Sequence, residues 1–361
     1  MNKGALIYED YIKLIEDKVV LINNHKPNQI QPSSIDLTLS SECYEIKASF
    51  LTPESKVRDD IEKLALNKIN LENTHVFLKN KTYLVRLNER LDLNNDLFGK
   101  CNPKSSTGRL DIFCRTVLDF SDEYEKIPKN YSGEIFLEIT SRSFDIELTK
   151  NDSLNQMRLI SINHDFISDV ALRDIHSNNP IIFNNLKEIK KAEIDNGLKI
   201  SVDLKENDNF STYVAKKNTP IINFSKINFH KINQYWDCKK SYGNSIMIQP
   251  GEFYILKSKE KIKIPNNMAG EMIPYDTGIG DFRVHYAGFF DPGFGDPHGS
   301  YAVLEVKTNE VPFILRDGQV IARIKYERLN KISKVVYGST IKSNYQNQGL
   351  ALSKHFEKKS I

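Results

Sequence analysis

The sequence is poor in tryptophan and cysteine, with one and four in 361 residues. Cys43, Cys101, Cys114 and Cys238 lie far apart with no C-x-x-C pair, and no charged-then-apolar leader opens the chain. That argues against a disulfide scaffold and predicts reduced thiols in a cytoplasmic protein. Long hydrophobic runs are missing as well. No stretch approaches the roughly 18 to 20 consecutive apolar residues that span a bilayer, so an integral membrane protein is excluded. Nor is there charge of one sign: 50 Lys and Arg face 47 Asp and Glu. The net +3 lacks the excess with which a sequence-independent nucleic-acid binder displaces counterions. With 17 glycines and 13 prolines the chain is neither collagen-like nor low-complexity. What remains, 40% hydrophobic and 27% charged, is the composition of a globular protein, and its length suits two domains.

Ile7, Tyr11, Leu14 and Ile15 stand at i, i+4, i+7 and i+8, which predicts one amphipathic helix before residue 20. Most of the rest reads as short strands separated by Gly, Pro and Asn: 83–87, 135–139, 254–256, 301–306 and 320–324. The class is mainly β. Residues 82–100 lie over 253–271 without gaps at an offset of 171, pairing Tyr83 with Tyr254, Glu89 with Glu260 and Gly99 with Gly270. The segments around Glu138 and Glu305 match at an offset of 167, and Ser34-Ile35-Asp36-Leu37 matches Ser201-Val202-Asp203-Leu204 at the same offset. A period near 170 residues is too long for a solenoid and predicts two copies of one β domain, 1–165 and 166–361.

Zinc-dependent base deamination needs H-x-E followed by P-C-x-x-C. Only His355-Phe356-Glu357 fits the first half, with no cysteine after it. Lys104-Ser105-Ser106-Thr107-Gly108-Arg109 gathers two cations and three hydroxyls around a glycine. Hydroxyls and backbone N–H groups suit phosphate oxygens, and Arg109 offers a planar fork of donors. The same residues also read as a helix start capped by Ser105 or Ser106. Asp291-Pro292-Gly293-Phe294 reads as a hairpin turn after an aromatic strand. Glu305 lies within the apolar strand Val303-Leu304-Glu305-Val306, on the Val303 face. Desolvated there, it is a candidate general base; on an edge strand it is a solvated surface group.

Together these segments resemble the dCTP deaminases, a branch of the dUTPase-like trimeric fold, and in particular their two-domain form. QPSSIDLTLS at 31–40 is similar to an early family segment, and Lys104 to Arg109 to its phosphate motif. Asp291 to Phe294 with Leu304-Glu305 resembles its nucleoside hairpin and catalytic glutamate, and Tyr337 with Asn344 to Gly349 its nucleotide-closing tail. The resemblance implies a tandem duplication of a dUTPase-like β-barrel or β-clip domain with a few short helices. It implies hydrolysis of dCTP to dUTP and ammonia without zinc, Mg²⁺ entering only as the triphosphate's counterion. Lys104, Ser105, Ser106 and Arg109 would hold the phosphates, Asp291 and Phe294 the deoxyribose, and Tyr337, Tyr345 and Gln348 would close over the phosphates. Glu305, or its repeat partner Glu138, would take the proton of the attacking water. A homo-oligomer is implied, and so is inhibition by dTTP near Val284-His285-Tyr286-Ala287.

The sequence departs from that pattern in places. The family's lysine before the second tail tyrosine is replaced by Asn344, with Lys342 two residues earlier. The first copy has Phe120 to Tyr124 where the hairpin belongs, and the second has Pro274-Tyr275-Asp276-Thr277-Gly278 where the phosphate motif belongs. This complementary loss predicts one site per chain drawing on both copies, with Glu305 preferred as base and Glu138 taking that role if the copies assemble homotypically. The alternatives are a dUTPase, a bifunctional enzyme releasing dUMP and pyrophosphate, and a nucleotide-binding regulator without turnover. Residues 205–245 fit no motif.

Overall fold

The computed structural model describes residues 3–358 apart from 24, 27, 94–95, 162–165, 206–209, 275–281, 285–287, 309 and 340–344, with the side chains at 274 and 282–284 also outside the description. The chain is mostly strand with few short helices. It forms two compact units, Met1–His164 with Asn218–Lys231 and Ser353–Ile361, and Asp165–Lys217 with Ile232–Leu352. Among the described residues no helix is long and apolar enough to cross a membrane.

The predicted first helix is Tyr8–Glu16. It buries Tyr11 and Leu14, and the Tyr11 hydroxyl accepts from the Leu159 N–H at 2.8 Å. The first unit then runs through β1 (Ile35–Leu37), β2 (Leu39–Ile46), β3 (Thr82–Asp92), β4 (Leu97–Pro103), β5 (Ile112–Leu118), β6 (Ser132–Ser141) and β7 (Asn155–Ser161). One sheet places β3 between β2 and β6, with β5 beyond β6; in another, β7 lies between β1 and β4. The second unit contains β8 (Leu198–Asp203), β9 (Tyr254–Ile262), β10 (Met268–Pro274), β11 (Ser300–Thr308) and β12 (Val320–Arg328). Its core gathers Leu198, Ile200, Leu256, Leu304 and Ile324, apolar positions that alternate along these strands.

Strand registers repeat between the units. Glu138 of β6 pairs with Leu84 of β3, and Glu305 of β11 with Ile255 of β9. Gly99 of β4 pairs with Leu159 of β7, and Gly270 of β10 with Tyr326 of β12. The paired glycines have a packing reason. A Cβ on Gly99 would come within 2.8 Å of Leu159, and one on Gly270 within 2.9 Å of Ile264.

For the early segment the structure corrects the predicted offset of 167. Ile35 faces Met157 as Leu198 faces Ile324, and Leu39 faces Leu87 as Val202 faces Ser258. From 35 to 198, and from 39 to 202, the offset is 163. Backbone bonds agree: Leu39 and Asp152 with Asn151 repeat as Val202 and Gln319 with Gly318. Asp36 therefore corresponds to Lys199, and Thr38 to Ser201.

The Glu89 and Glu260 pair is explained by the same register. Glu89 is buried and accepts from the Thr38 N–H at 2.9 Å, the Thr38 hydroxyl at 2.7 Å and the Gln29 amide at 2.7 Å. Glu260 accepts from the Ser201 N–H at 2.9 Å, the Ser201 hydroxyl at 2.6 Å and Lys190 at 2.6 Å. Each carboxylate fastens the early segment to the long strand of its own copy. Burial raises the Glu89 pKa against the pull of these donors.

Two segments beyond residue 165 pack with the first unit, so a single cut in the chain does not divide these units. Ile222–Asn223 adds in parallel to Ile146–Leu148. Phe229 and His230 N–H groups donate to the His355 carbonyl, each at 3.0 Å. Also within residues 205–245, Thr212–Ala215 of the second unit pairs with β9 and with Trp236–Lys239.

Candidate active site

Lys104 to Arg109 follows β4. Ser105–Gly108 forms one helical turn with Lys104 at its N-cap and no side-chain cap bond, so neither serine caps it as the helix-start reading expected. The turn is fixed from below: the Lys104 N–H and the Thr107 hydroxyl donate to the Leu154 carbonyl at 2.9 and 2.8 Å. Lys104 is ion-paired with Asp36 and donates to the Ser153 hydroxyl at 3.3 Å. Ser106 and Arg109 are buried, only 4% and 2% exposed, whereas Lys104 and Ser105 are half-buried. The Ser353 hydroxyl donates to the Ser106 carbonyl at 2.7 Å, so a late segment of the chain covers the motif within this unit.

Lys104 lines a cavity of about 220 Å³ with Lys26, Lys354, Asp36 and Asp152. Burial pushes the Asp152 carboxyl up to about 6. Lys354 is shifted down, first by burial and then by the neighbouring Lys104 charge. His355, from the H-x-E match, is fully buried, shares a 2.9 Å hydrogen bond with the Ser353 hydroxyl, and packs on the Phe224 ring at 4.4 Å. Burial, with Lys354 beside it, pushes His355 down to about 3.

Glu138 belongs to the same unit. It is 1% exposed, and its Oε1 accepts from the Arg115 guanidinium on neighbouring β5 at 2.6 Å. Its Oε2 is buried without a hydrogen-bond partner among the described residues. Arg115 is held in turn over the Tyr124 ring, 3.6 Å from its centroid. One oxygen thus orients the carboxylate and the other is left able to accept a proton.

The second unit holds the hairpin, the tail and Glu305. Phe289–Phe290 pairs with Gly270 and Glu271, and the chain then turns at half-buried Asp291, where the Phe294 N–H donates to the Asp291 carbonyl at 3.1 Å. Gly293 has φ +89°, and a Cβ there would fall 2.0 Å from Val336, so glycine alone lets the tail approach. The Tyr337 N–H donates to the Pro292 carbonyl at 2.9 Å, and its ring packs on Phe294 at 5.8 Å. Gln348 donates to the Tyr301 carbonyl at 2.9 Å. Tyr301 opens β11, the strand that carries Glu305, which is 4% exposed. Tyr345 is half-buried in the same tail. The structure therefore groups Asp291, Phe294, Glu305, Tyr337, Tyr345 and Gln348 in one unit, and Lys104, Ser105, Ser106, Arg109 and Glu138 in the other.

Several residues here escaped the sequence reading. Arg115 gave the same signal as Glu138, a charge inside an apolar strand. Gln346 sits within the quoted tail and bonds the turn twice: its carbonyl accepts from the Gly295 N–H at 3.1 Å and its amide donates to the Gly293 carbonyl at 3.3 Å. Glu125 accepts from the Thr116 N–H at 2.9 Å and the Asn155 amide at 3.2 Å, and desolvation raises it to about 8. Residues 275–278, 285–287, 342 and 344, singled out in the sequence, lie outside the described residues.

Two family descriptions match in tandem, the N-terminal domain of 2'-deoxycytidine 5'-triphosphate deaminase over residues 2–163 and its C-terminal domain over residues 168–356. The crystal structure of 2'-deoxycytidine 5'-triphosphate deaminase from Agrobacterium tumefaciens is similar with a TM-score of 0.88 and 34% identity, covering 94% of this chain and 99% of that one. The dCTP deaminase, dUMP-forming, of Coprothermobacter proteolyticus is 31% identical over 134 residues, 36% of this chain and 66% of that protein. The protein of the same description from Corynebacterium glutamicum (strain R) is 28% identical over 110 residues, 29% of this chain and 56% of that protein. The chain thus spans less than two thirds of the length of these two relatives.

Proposed function

Since the chain belongs to the two-domain dCTP deaminases, with their dUTPase-like β fold, we propose that it removes the 4-amino group of dCTP by hydrolysis. The observation that carries this reading is the grouping, in the second unit, of the Asp291 to Phe294 hairpin, the tail bonded to it, and the buried Glu305 strand to which Gln348 is tied. Glu305 takes a proton from water as the oxygen bonds to cytosine C4. That proton passes to N3 and the remaining hydroxyl proton to the 4-amino group, which leaves as ammonia while C4 becomes a carbonyl. In this proposal a carboxylate, and not a zinc-bound hydroxide, activates the water. Glu138, oriented by Arg115, is the alternative base.

Asp291 and Phe294 are assigned to the deoxyribose, and Tyr337, Tyr345 and Gln348 to closure of the nucleotide. Lys104, Ser105, Ser106 and Arg109 are assigned to the triphosphate, whose Mg²⁺ arrives with it. A cytoplasmic homo-oligomer inhibited by dTTP completes the proposal.

For the end product we favour dUMP with release of pyrophosphate, because the two relatives above are named dUMP-forming. Release of dUTP, as expected from the sequence, is the second reading: the Agrobacterium tumefaciens relative, which covers nearly the whole chain, is named a deaminase alone. Incubation of the purified full chain with dCTP and Mg²⁺, with ammonia, dUTP, dUMP and pyrophosphate each quantified, tests both. Ammonia and dUMP in equal amounts support the first, and accumulating dUTP the second. No ammonia, with dCTP bound, would leave a regulator in place of an enzyme.

A further inference from the structure

Each unit has a cavity at the same place in its copy of the fold. In the first it is bounded by Asp36, Thr38, Asn151 and Ser153. In the second, a cavity of about 200 Å³ is bounded by Lys199, Ser201, Gly318 and Val320. Under the register established above these are the same four positions, with the same backbone bonds between the early segment and the turn at 151–152 or 318–319. The first cavity carries its lysines, Lys26, Lys104 and Lys354, at other positions. Lys199 replaces Asp36, and Lys259 stands where the first copy has Asn88, at the 171 offset of the long strands. Lys190 bonds Glu260 where Gln29 bonds Glu89.

The second cavity is therefore lined by four lysines, Lys190, Lys191, Lys199 and Lys259, against two carboxylates, Glu193 and Glu260. Glu260 is already committed to Lys190 and the Ser201 hydroxyl. Lys259 pairs with Asp317 at 2.6 Å and Lys199 with the exposed Asp195 at 3.3 Å, pairs that are weak where solvent reaches them. Lys191 has no ion-pair partner among the described residues. The cavity is smaller than the roughly 300 to 1,000 Å³ typical of a whole drug-sized ligand, and compact ammonium groups suit phosphate as point charges.

We propose that this cavity of the second unit is an anion site that takes the phosphate chain of a small ligand, either inorganic di- or triphosphate or the phosphate end of a nucleotide. It holds the anion by lysine charge rather than by a serine-rich turn. Its lining shares no residue with the hairpin and tail assigned to the nucleoside, and binding there does not depend on the deaminase reading.

Amine acetylation read residue by residue by mass spectrometry tests it on the full chain, with pyrophosphate as probe and no divalent cation. Pyrophosphate is expected to slow acetylation of Lys191 and Lys199 at least about fivefold. Lys199→Asp with Lys259→Asn restores the side chains of the first copy and is expected to abolish protection of Lys191. Lys191→Glu, at an exposed position, is expected to weaken protection of Lys199 even if the double variant is unstable. Protection by dCTP at lower concentration than by inorganic triphosphate identifies a nucleotide ligand; equal concentrations identify the free phosphate chain. Unchanged lysine rates with every probe, or protection that persists in the folded variants, overturns the site.

Discussion

Gln346 clasps the Gly293 to Gly295 backbone from both sides, accepting from the Gly295 N–H and donating to the Gly293 carbonyl. A single amide supplies both contacts, because a carboxamide carries an acceptor oxygen and donor N–H groups in one plane. The tail is thereby fixed to the turn proposed to hold the deoxyribose.

Gln346→Ala removes both bonds without touching the base. The Michaelis constant for dCTP is expected to rise roughly tenfold with a smaller change in turnover, as for a closing element that has lost its latch. Steady-state kinetics checks this, and Gln346→Glu, which keeps only acceptors, is expected to resemble the alanine variant. An unchanged Michaelis constant in both would detach this residue from substrate closure.

Glu305→Gln keeps the shape of the side chain and loses the basic oxygen. It is expected to bind dCTP and to lose about 10² to 10⁴-fold in turnover. Glu138→Gln is the matched control at the equivalent strand position. An active Glu305→Gln beside a dead Glu138→Gln would transfer the base to the first copy.

Glu89→Ala is a stability test. It leaves the Thr38 N–H, the Thr38 hydroxyl and the Gln29 amide without their acceptor in a buried setting, a loss of roughly 3 kcal/mol. Glu260→Ala is expected to cost a similar amount through Ser201 and Lys190. Denaturant titration measures both, and a loss under about 0.5 kcal/mol, the range of ordinary surface changes, would reject the fastening role.

The buried His355 gives acid sensitivity. Its folded pKa, about 3, lies below the ordinary 6.5, so the unfolded chain takes up a proton that the folded one refuses. Stability is full above about 6.5 and declines as pH falls from there toward 3. His355→Gln is expected to melt lower than the parent at pH 7.5 yet lose less on acidification to pH 4.5. Parallel melting curves at the two pH values would contradict the assignment.

The strands were legible because apolar residues crowd 83–87, 135–139 and 301–306, and each run lies inside an observed strand. The helices Val57–Leu64 and Asp169–Asn178 were not, because the first buries only Val57 and Ile61 and the second only Leu172, too thin a stripe to declare a period. The early repeat was misaligned by four residues because Ser-x-Asp-Leu recurs in the sequence, whereas the structure preserves the hydroxyl that meets the buried glutamate, Thr38 in one copy and Ser201 in the other. Arg115 and Gln346 depend on partners that only folding brings near. Glu138, Glu305 and the hairpin were found because a family pattern marked them; burial alone does not separate a base from a structural carboxylate such as Glu89.

The first unit includes Asn218–Lys231, which interrupts the sequence of the second unit, and Ser353–Ile361, which follows it. A growing polypeptide emerging from the ribosome has therefore made all of the second unit's strands before it supplies Ser353 to shield Ser106 and His355 to stack on Phe224. Until then the earliest-made half waits unfinished, its Ser105–Gly108 turn uncovered and, before residue 222 is made, Ile146–Leu148 lacking its parallel neighbour, and is a natural client for a chaperone that masks unpaired strand edges.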